Sequence, residues 1–77
     1  MPLILKIGPT WTFVSDFAHA SATYSALRDA SGQGASTYVD GAILYDVVTV
    51  ARVSYNGKVW APEPWKSGAI PIFNPYA

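Results

Sequence analysis

Residues 16–32 read D-F-A-H-A-S-A-T-Y-S-A-L-R-D-A-S-G, and this stretch decides the fold. Its apolar side chains recur at intervals of three and four: Phe17, Ala20, Tyr24 and Leu27. This spacing forms one apolar stripe along an α-helix. Ser15 or Asp16 is suited to cap the start, and Gly32 is suited to end the helix in a left-handed conformation. The stretch therefore predicts one helix from Phe17 to Ser31.

Two further stretches predict strands. Leu3–Ile7 is a short apolar run that ends at Gly8-Pro9, a pair that breaks a strand and marks a turn. Residues 43–55 are rich in β-branched side chains, and Asp40-Gly41 ahead of them is a turn signal. The order of strand, helix and two or three more strands predicts the α+β class. We expect a small antiparallel sheet with one helix packed across it, in β-α-β-β order.

The strongest turn signal of the chain lies in Ser54–Trp60, which reads S-Y-N-G-K-V-W. Asn-Gly between two β-rich runs is typical of a two-residue hairpin loop of type I′, in which both central residues need positive φ. Such a loop pairs Tyr55 with Lys58, Ser54 with Val59, and Val53 with Trp60. Val53, Tyr55 and Trp60 would then share the core face of the sheet, whereas a slip of one residue would reverse this assignment.

The last segment, residues 61–77, differs in composition from the first sixty. It contains four prolines, which disfavour both a helix and a central strand. It also contains five large apolar residues: Trp65, Ile70, Ile72, Phe73 and Tyr76. A flexible tail has no reason to carry such side chains. We therefore expect a compact domain at 1–60 and an extended apolar arm at 61–77, docked on its own domain, on a neighbouring subunit or on another protein.

The aromatic content is high for a chain of 77 residues, which has three Trp, five Tyr and three Phe. A domain of this size has a thin core. We therefore expect a partner, most simply a second copy in a homo-oligomer, to cover part of the apolar surface. Small side chains on the helix face opposite the apolar stripe would let another backbone approach closely. The predicted interface residues are Ala18, Ala22, Ala26, Trp60, Trp65, Ile72, Phe73 and Tyr76.

The composition argues against several classes of function. Five basic and five acidic residues give zero net charge, which disfavours nucleic-acid binding. The chain has no cysteine and a single histidine, so we expect no metal site and no cofactor. No serine lies in a G-x-S-x-G motif and no two carboxylates are paired by their spacing, so we expect no enzyme. No stretch has the length of a membrane span or a signal peptide, and a cytoplasmic protein is expected.

The segment from Arg28 to Thr37 is the strongest candidate for ligand binding. Its glycines, hydroxyl groups and single guanidinium could cradle the phosphate of a nucleotide. Phosphate loops of the familiar kind precede a helix, whereas this segment follows one. A helix C-cap followed by a polar loop is therefore the alternative interpretation. The predicted ligand residues are Arg28, Ser31, Gly32, Gly34, Ser36 and Thr37.

Two stretches, Tyr24–Thr37 (Y-S-A-L-R-D-A-S-G-Q-G-A-S-T) and Ser54–Trp60, resemble short uncharacterised proteins encoded by phages and prophages of proteobacteria. The resemblance covers about a quarter to a third of the chain. It implies a phage origin and assigns no functional residues. Small phage proteins often bind and block a host factor, frequently one of a defence system. A non-enzymatic interaction protein with a host partner is therefore favoured, and a nucleotide binder and a virion structural or decoration protein are the alternatives.

Overall fold

The computed structural model describes residues 3–34, 37–62 and 68–76. These residues form five strands and one helix in the order β1 (Leu3–Ile7), β2 (Thr10–Val14), α1 (Phe17–Ser31), β3 (Gly41–Tyr45), β4 (Val48–Val53) and β5 (Val59–Trp60). The predicted α+β class, with one helix on an antiparallel sheet, is confirmed.

The helix begins and ends at the predicted caps. The Asp16 carboxylate accepts a hydrogen bond from the His19 backbone N–H at 2.7 Å, which satisfies one donor that the first helical turn leaves unpaired. Gly32 ends the helix with a φ of 70°, which a residue without a Cβ adopts freely. Local sequence alone therefore accounts for the bounds of α1.

All five strands join one antiparallel sheet in the order β2-β1-β3-β4-β5. β1 lies between β2 and β3, and α1 connects these two strands across one face of the sheet. The sequence analysis assigns no element to Thr10–Val14, where the structure has β2. This strand forms because Gly8, with a φ of 57°, and Pro9 make a two-residue loop that pairs Ile7 with Thr10.

The core lies between α1 and one face of the sheet, here called the inner face. Its buried apolar residues are Leu5, Ile7, Val14, Ala20, Tyr24, Ile43, Ala51, Val53 and Val59. Two side-chain hydroxyl groups of α1 donate hydrogen bonds from this core to backbone carbonyls outside the helix. The Tyr24 hydroxyl donates to the Val39 carbonyl at 2.8 Å, and the buried Ser21 hydroxyl donates to the Gly57 carbonyl at 2.6 Å. These bonds offset the cost of burying the two hydroxyls.

One turn differs from its predicted position. Asp40-Gly41 is not a turn, because Gly41 is the first residue of β3. Atoms of Leu5 and Tyr24 lie 3.0–3.4 Å from the place that a Cβ on Gly41 would occupy, so this glycine makes room for the core. The turn lies instead at Asp46-Val47, which divides the β-branched run into β3 and β4.

The register of the β4–β5 hairpin is shifted by one residue from the predicted type I′ register. Val53 pairs with Val59 and Arg52 pairs with Trp60. Val59 is therefore the buried core residue, and the assignment of Trp60 to the core face is wrong. This is the slip that the sequence analysis left open.

The cause of the shift is a loop of three residues rather than two. The Gly57 N–H donates to the Ser54 carbonyl at 2.8 Å, and the Ser54 N–H donates to the Lys58 carbonyl at 3.0 Å. Gly57 has a φ of 86°, whereas Asn56 does not have the positive φ that a type I′ loop requires. The Asn56 side-chain oxygen instead accepts from the Lys58 N–H at 3.1 Å.

The described part of the arm, residues 68–76, lies against β5 of the same chain. The Val59 N–H donates to the Phe73 carbonyl at 2.9 Å, and the Ile72 N–H donates to the Val59 carbonyl at 2.7 Å. The Phe73 side chain packs against the core. Of the three docking surfaces predicted for the arm, this part uses its own domain. Trp65 lies outside the described residues.

Candidate functional site

The candidate functional site is the sheet face that points away from α1, here called the outer face. Directly paired residues of antiparallel strands share a face, and successive residues of a strand alternate between faces. The observed register therefore places nine side chains on the outer face: Ile4, Lys6, Trp11, Phe13, Ala42, Leu44, Thr49, Arg52 and Trp60. The single helix of the described ranges packs on the inner face only.

Aromatic side chains lie at both ends of the outer face. Trp11 and Phe13 on β2 are 57% and 56% exposed, and their rings meet edge to face with centroids 5.3 Å apart. Trp60 on β5 is half-buried, and its indole N–H donates to the Ser54 hydroxyl at 2.9 Å. Exposed aromatic clusters of this kind are typical of interaction surfaces.

Two basic residues lie between these aromatic side chains. One row crosses all five strands, with the order Trp11, Lys6, Ala42, Arg52 and Trp60. Because neighbouring strands lie about 4.8 Å apart, the row is about 19 Å long. Its centre is shallow, since Ala42 has a small side chain. The Arg52 guanidinium lies 3.8 Å from the Asp40 carboxylate, which partly neutralises its charge.

Arg28, the basic residue of the predicted ligand loop, makes its contacts within the protein. One guanidinium N–H donates to the Tyr55 carbonyl, and the guanidinium carbon lies 5.2 Å from the centroid of the Tyr55 ring. The Nε donates to the Asp29 carboxylate at 3.2 Å. Only 16% of the Arg28 side chain is exposed. Arg28 therefore connects α1 to the β4–β5 loop and presents little surface to a ligand.

The hydroxyl groups of the predicted ligand loop also bond to its backbone. The Ser31 hydroxyl donates to the Arg28 carbonyl at 2.7 Å, and the Thr37 hydroxyl donates to the Gly34 carbonyl at 3.2 Å. Gly32 is the helix C-cap. Ser36 lies outside the described residues. The remaining residues have the geometry of a C-cap followed by a polar loop, and their role in ligand binding stays a prediction.

The predicted interface residues lie on three separate surfaces. Those that are exposed or half-buried are distributed over the helix, the outer face and the tail: Ala18, Ala22, Ala26, Trp60, Ile72 and Tyr76. Phe73 is also half-buried, but its side chain packs against the core of its own chain. On the described part of the arm, the apolar surface left for a partner therefore belongs mainly to Ile70, Ile72 and Tyr76.

His19, the only histidine of the sequence, lies in the first turn of α1 and contacts Ser15 just before the helix. Its Nδ1 lies 2.9 Å from the backbone nitrogen of Ser15 and 3.2 Å from the Ser15 hydroxyl oxygen. Because the Ser15 N–H donates to the lone pair of Nδ1, this nitrogen is not free to take a proton from the hydroxyl. Within the ranges that the structure covers, no three His, Asp or Glu side chains come together as metal ligands would.

A shallow hollow lies beside the second half of α1. Its volume is about 220 Å³, and it is lined by Ile7, Thr10, Leu27 and Tyr38. Ligand pockets typically measure about 300–1,000 Å³ and enclose most of the ligand. The hollow is smaller and open, so it is a weaker candidate than the outer face.

The outer face is not among the sequence-based predictions, although part of its signal is present in the chain. Thr10–Val14 reads T-W-T-F-V, which alternates between small or polar and aromatic side chains directly after a Gly-Pro turn. This alternation is typical of a strand with one exposed face. Which face of the sheet α1 covers is not encoded in this pattern, and only the packed structure shows that Trp11 and Phe13 lie opposite the helix.

No family model, curated protein or solved structure matches this chain. Its function is therefore argued from its own surface. In the part of the chain that the structure describes, no helix combines the length and apolar character needed to cross a membrane.

Proposed function

We propose that this chain is a non-enzymatic interaction protein that binds a partner protein through its outer face. The observation that carries the proposal is the presence of Trp11, Phe13 and Trp60 on a sheet face that α1 leaves open. Aromatic residues supply much of the binding free energy at protein interfaces. Because the strands already fix the backbone at these positions, little backbone conformational entropy is lost on binding.

The charge of the outer face favours a protein partner over a nucleic acid. Lys6 and Arg52 are its basic residues, Arg52 is partly neutralised by Asp40, and the chain has no net charge. Proteins that bind single strands combine stacking aromatics with a strongly positive groove. The resemblance to small phage proteins supports a host factor as the partner, with the outer face acting by covering a site on it.

Photocrosslinking from defined positions tests this proposal. A photoreactive amino acid replaces Lys6 or Thr49, which are exposed on the outer face, or Ala22 or Asp29, which are exposed on α1 and serve as matched controls. In a bacterial lysate, both outer-face positions are expected to form an adduct with the same protein, and the helix positions are expected to form none. Adducts of equal yield from Ala22 and Asp29 would contradict the proposal.

A single strand of nucleic acid is the second candidate for the outer face. The row in which Lys6 and Arg52 lie between Trp11 and Trp60 supports it, because bases stack on aromatic rings while cations contact the backbone. The same crosslinking experiment separates the two candidates. An adduct from Lys6 that nuclease digestion removes would identify a nucleic acid, and one that only protease removes would identify a protein.

A further inference from the structure

The outer edge of β2 carries backbone groups without a strand partner among the described residues. Its one neighbour in the sheet is β1. Ile7 and Thr10 flank a two-residue loop, so the Thr10 N–H donates across the turn to the Ile7 carbonyl. Hydrogen bonding then alternates along the strand. The backbone groups of Thr10, Thr12 and Val14 therefore face β1, and those of Trp11 and Phe13 face outward.

β2 lacks the features with which proteins protect an edge strand. It contains no charged residue and no proline, and it pairs with β1 over all five residues without a bulge. The opposite edge of the sheet differs, since Phe73 lies beside Val59 there. A regular edge strand with exposed aromatic side chains is a template for another strand.

We propose that a second copy of this chain covers the edge, with the two β2 strands paired antiparallel about a twofold axis at Thr12. In this register Trp11 of each copy lies opposite Phe13 of the other. These are the two residues whose backbone groups face outward, so each such pair exchanges two hydrogen bonds across the axis. The strand is thus complementary to itself, as a twofold interface requires.

The same register also brings matching side chains together. Trp11 and Phe13 of both copies meet on the outer face, and aromatic pairs across neighbouring strands stabilise a sheet. Thr12 meets its symmetry mate on the inner side. The two five-stranded sheets become one, and their outer faces form one continuous surface. This dimer would form whether or not the outer face binds another partner.

Electrostatic repulsion does not oppose this pairing. β2 carries no charge, and the chain as a whole has zero net charge. The nearest charge on the sheet is Lys6, on the neighbouring strand. The two copies of Lys6 would be separated by three strand spacings, about 14 Å, which exceeds the Debye length of about 8 Å at physiological ionic strength.

Analytical ultracentrifugation over a range of concentrations tests the dimer. The unmodified chain is expected to show a monomer–dimer equilibrium. Phe13→Lys places two like charges beside the twofold axis and is expected to raise the dissociation constant at least tenfold. Val48→Lys is the matched control, because Val48 is 61% exposed and lies on β4, which β1 and β3 separate from β2. It is expected to leave the dissociation constant unchanged.

Amide hydrogen exchange distinguishes this edge from any other dimer surface. At concentrations where the dimer forms, the Trp11 and Phe13 amides are expected to exchange slowly, and dilution should speed their exchange. The Thr12 amide is expected to stay protected at both concentrations, because it bonds to β1. A monomer at every concentration would overturn the proposal, and so would a dimer whose Trp11 and Phe13 amides exchange fast. Neither result would affect crosslinking from Lys6 and Thr49, so the two proposals can fail separately.

Discussion

Val47 occupies a backbone conformation that its side chain disfavours. Asp46 and Val47 form the two-residue loop between β3 and β4 with φ of 50° and 62°. The left-handed region costs a residue with a Cβ about 1–2 kcal/mol, and Val47 is 87% exposed, so its side chain contributes little packing in return. We expect Val47→Gly to raise the free energy of unfolding by about 1 kcal/mol, as measured by urea denaturation.

The neighbouring valine provides the control for this prediction. Val48 lies in β4 and does not have positive φ. Val48→Gly is therefore expected to lower the free energy of unfolding by about 0.5–1 kcal/mol, because glycine weakens a strand. A loss of stability of similar size in both variants would show that the loop is not strained at Val47.

Tyr24 is predicted to make stability depend on alkaline pH. Burial, with the Asp40 charge as a second cause, raises the pKa of its hydroxyl from 10.0 to about 12. Because the folded-state pKa lies above the unfolded one, folding favours the neutral phenol. Its contribution is fully present below pH 10 and is lost as the pH rises towards 12. We expect the free energy of unfolding to fall over this window.

Tyr24→Phe isolates this effect from the ionisation of the other tyrosines. The variant lacks the hydrogen bond to the Val39 carbonyl and is expected to be about 1 kcal/mol less stable at pH 8. Between pH 10 and 12 its stability should fall less steeply than that of the unmodified chain. Equal slopes in the two proteins would rule out Tyr24 as the source.

At the scale of elements, Arg28 joins α1 to the β4–β5 loop. Arg28→Ala leaves the Tyr55 carbonyl without its donor and removes the cation over the Tyr55 ring. We expect a loss of about 1–2 kcal/mol in the free energy of unfolding. Asp29→Ala is the control and should cost under about 0.5 kcal/mol, because Asp29 is 74% exposed. If Arg28 served only a ligand, its replacement would leave stability unchanged.

For the whole molecule, the described part of the arm, residues 68–76, belongs to the fold. Phe73 extends the sheet beside Val59 and packs on the core. Phe73→Ala is expected to lower the free energy of unfolding by about 2–3 kcal/mol, somewhat less than for a fully buried Phe. Ile70→Ala is the matched control with little expected effect, because Ile70 is 86% exposed. If Phe73→Ala and Ile70→Ala lowered the thermal stability by the same amount, the Phe73 contact would stabilise the fold no more than an exposed side chain does.

The outer face has both local and distant causes. The alternation in Thr10–Val14 is a local signal for β2, and the Asn-Gly pair is a local signal for the last hairpin. Neither reveals which side of the sheet carries the helix. A two-residue Asn-Gly loop predicts Trp60 in the core by pairing it with Val53, and the observed three-residue loop shifts the register by one residue and places Trp60 on the outer face.

Local sequence fixes the bounds of α1, because the cap at Asp16, the apolar stripe and Gly32 all belong to the helix segment 16–32. It also determined the α+β class. The loop around Gly57 and the role of Gly41 depend on contacts between elements. Ser21 bonds to Gly57 over 36 residues, and the Tyr24 ring packs on Gly41. These partners are distant in the chain, so a turn signal read over two residues does not contain them, and a buried hydroxyl left without its acceptor would cost about 1–3 kcal/mol.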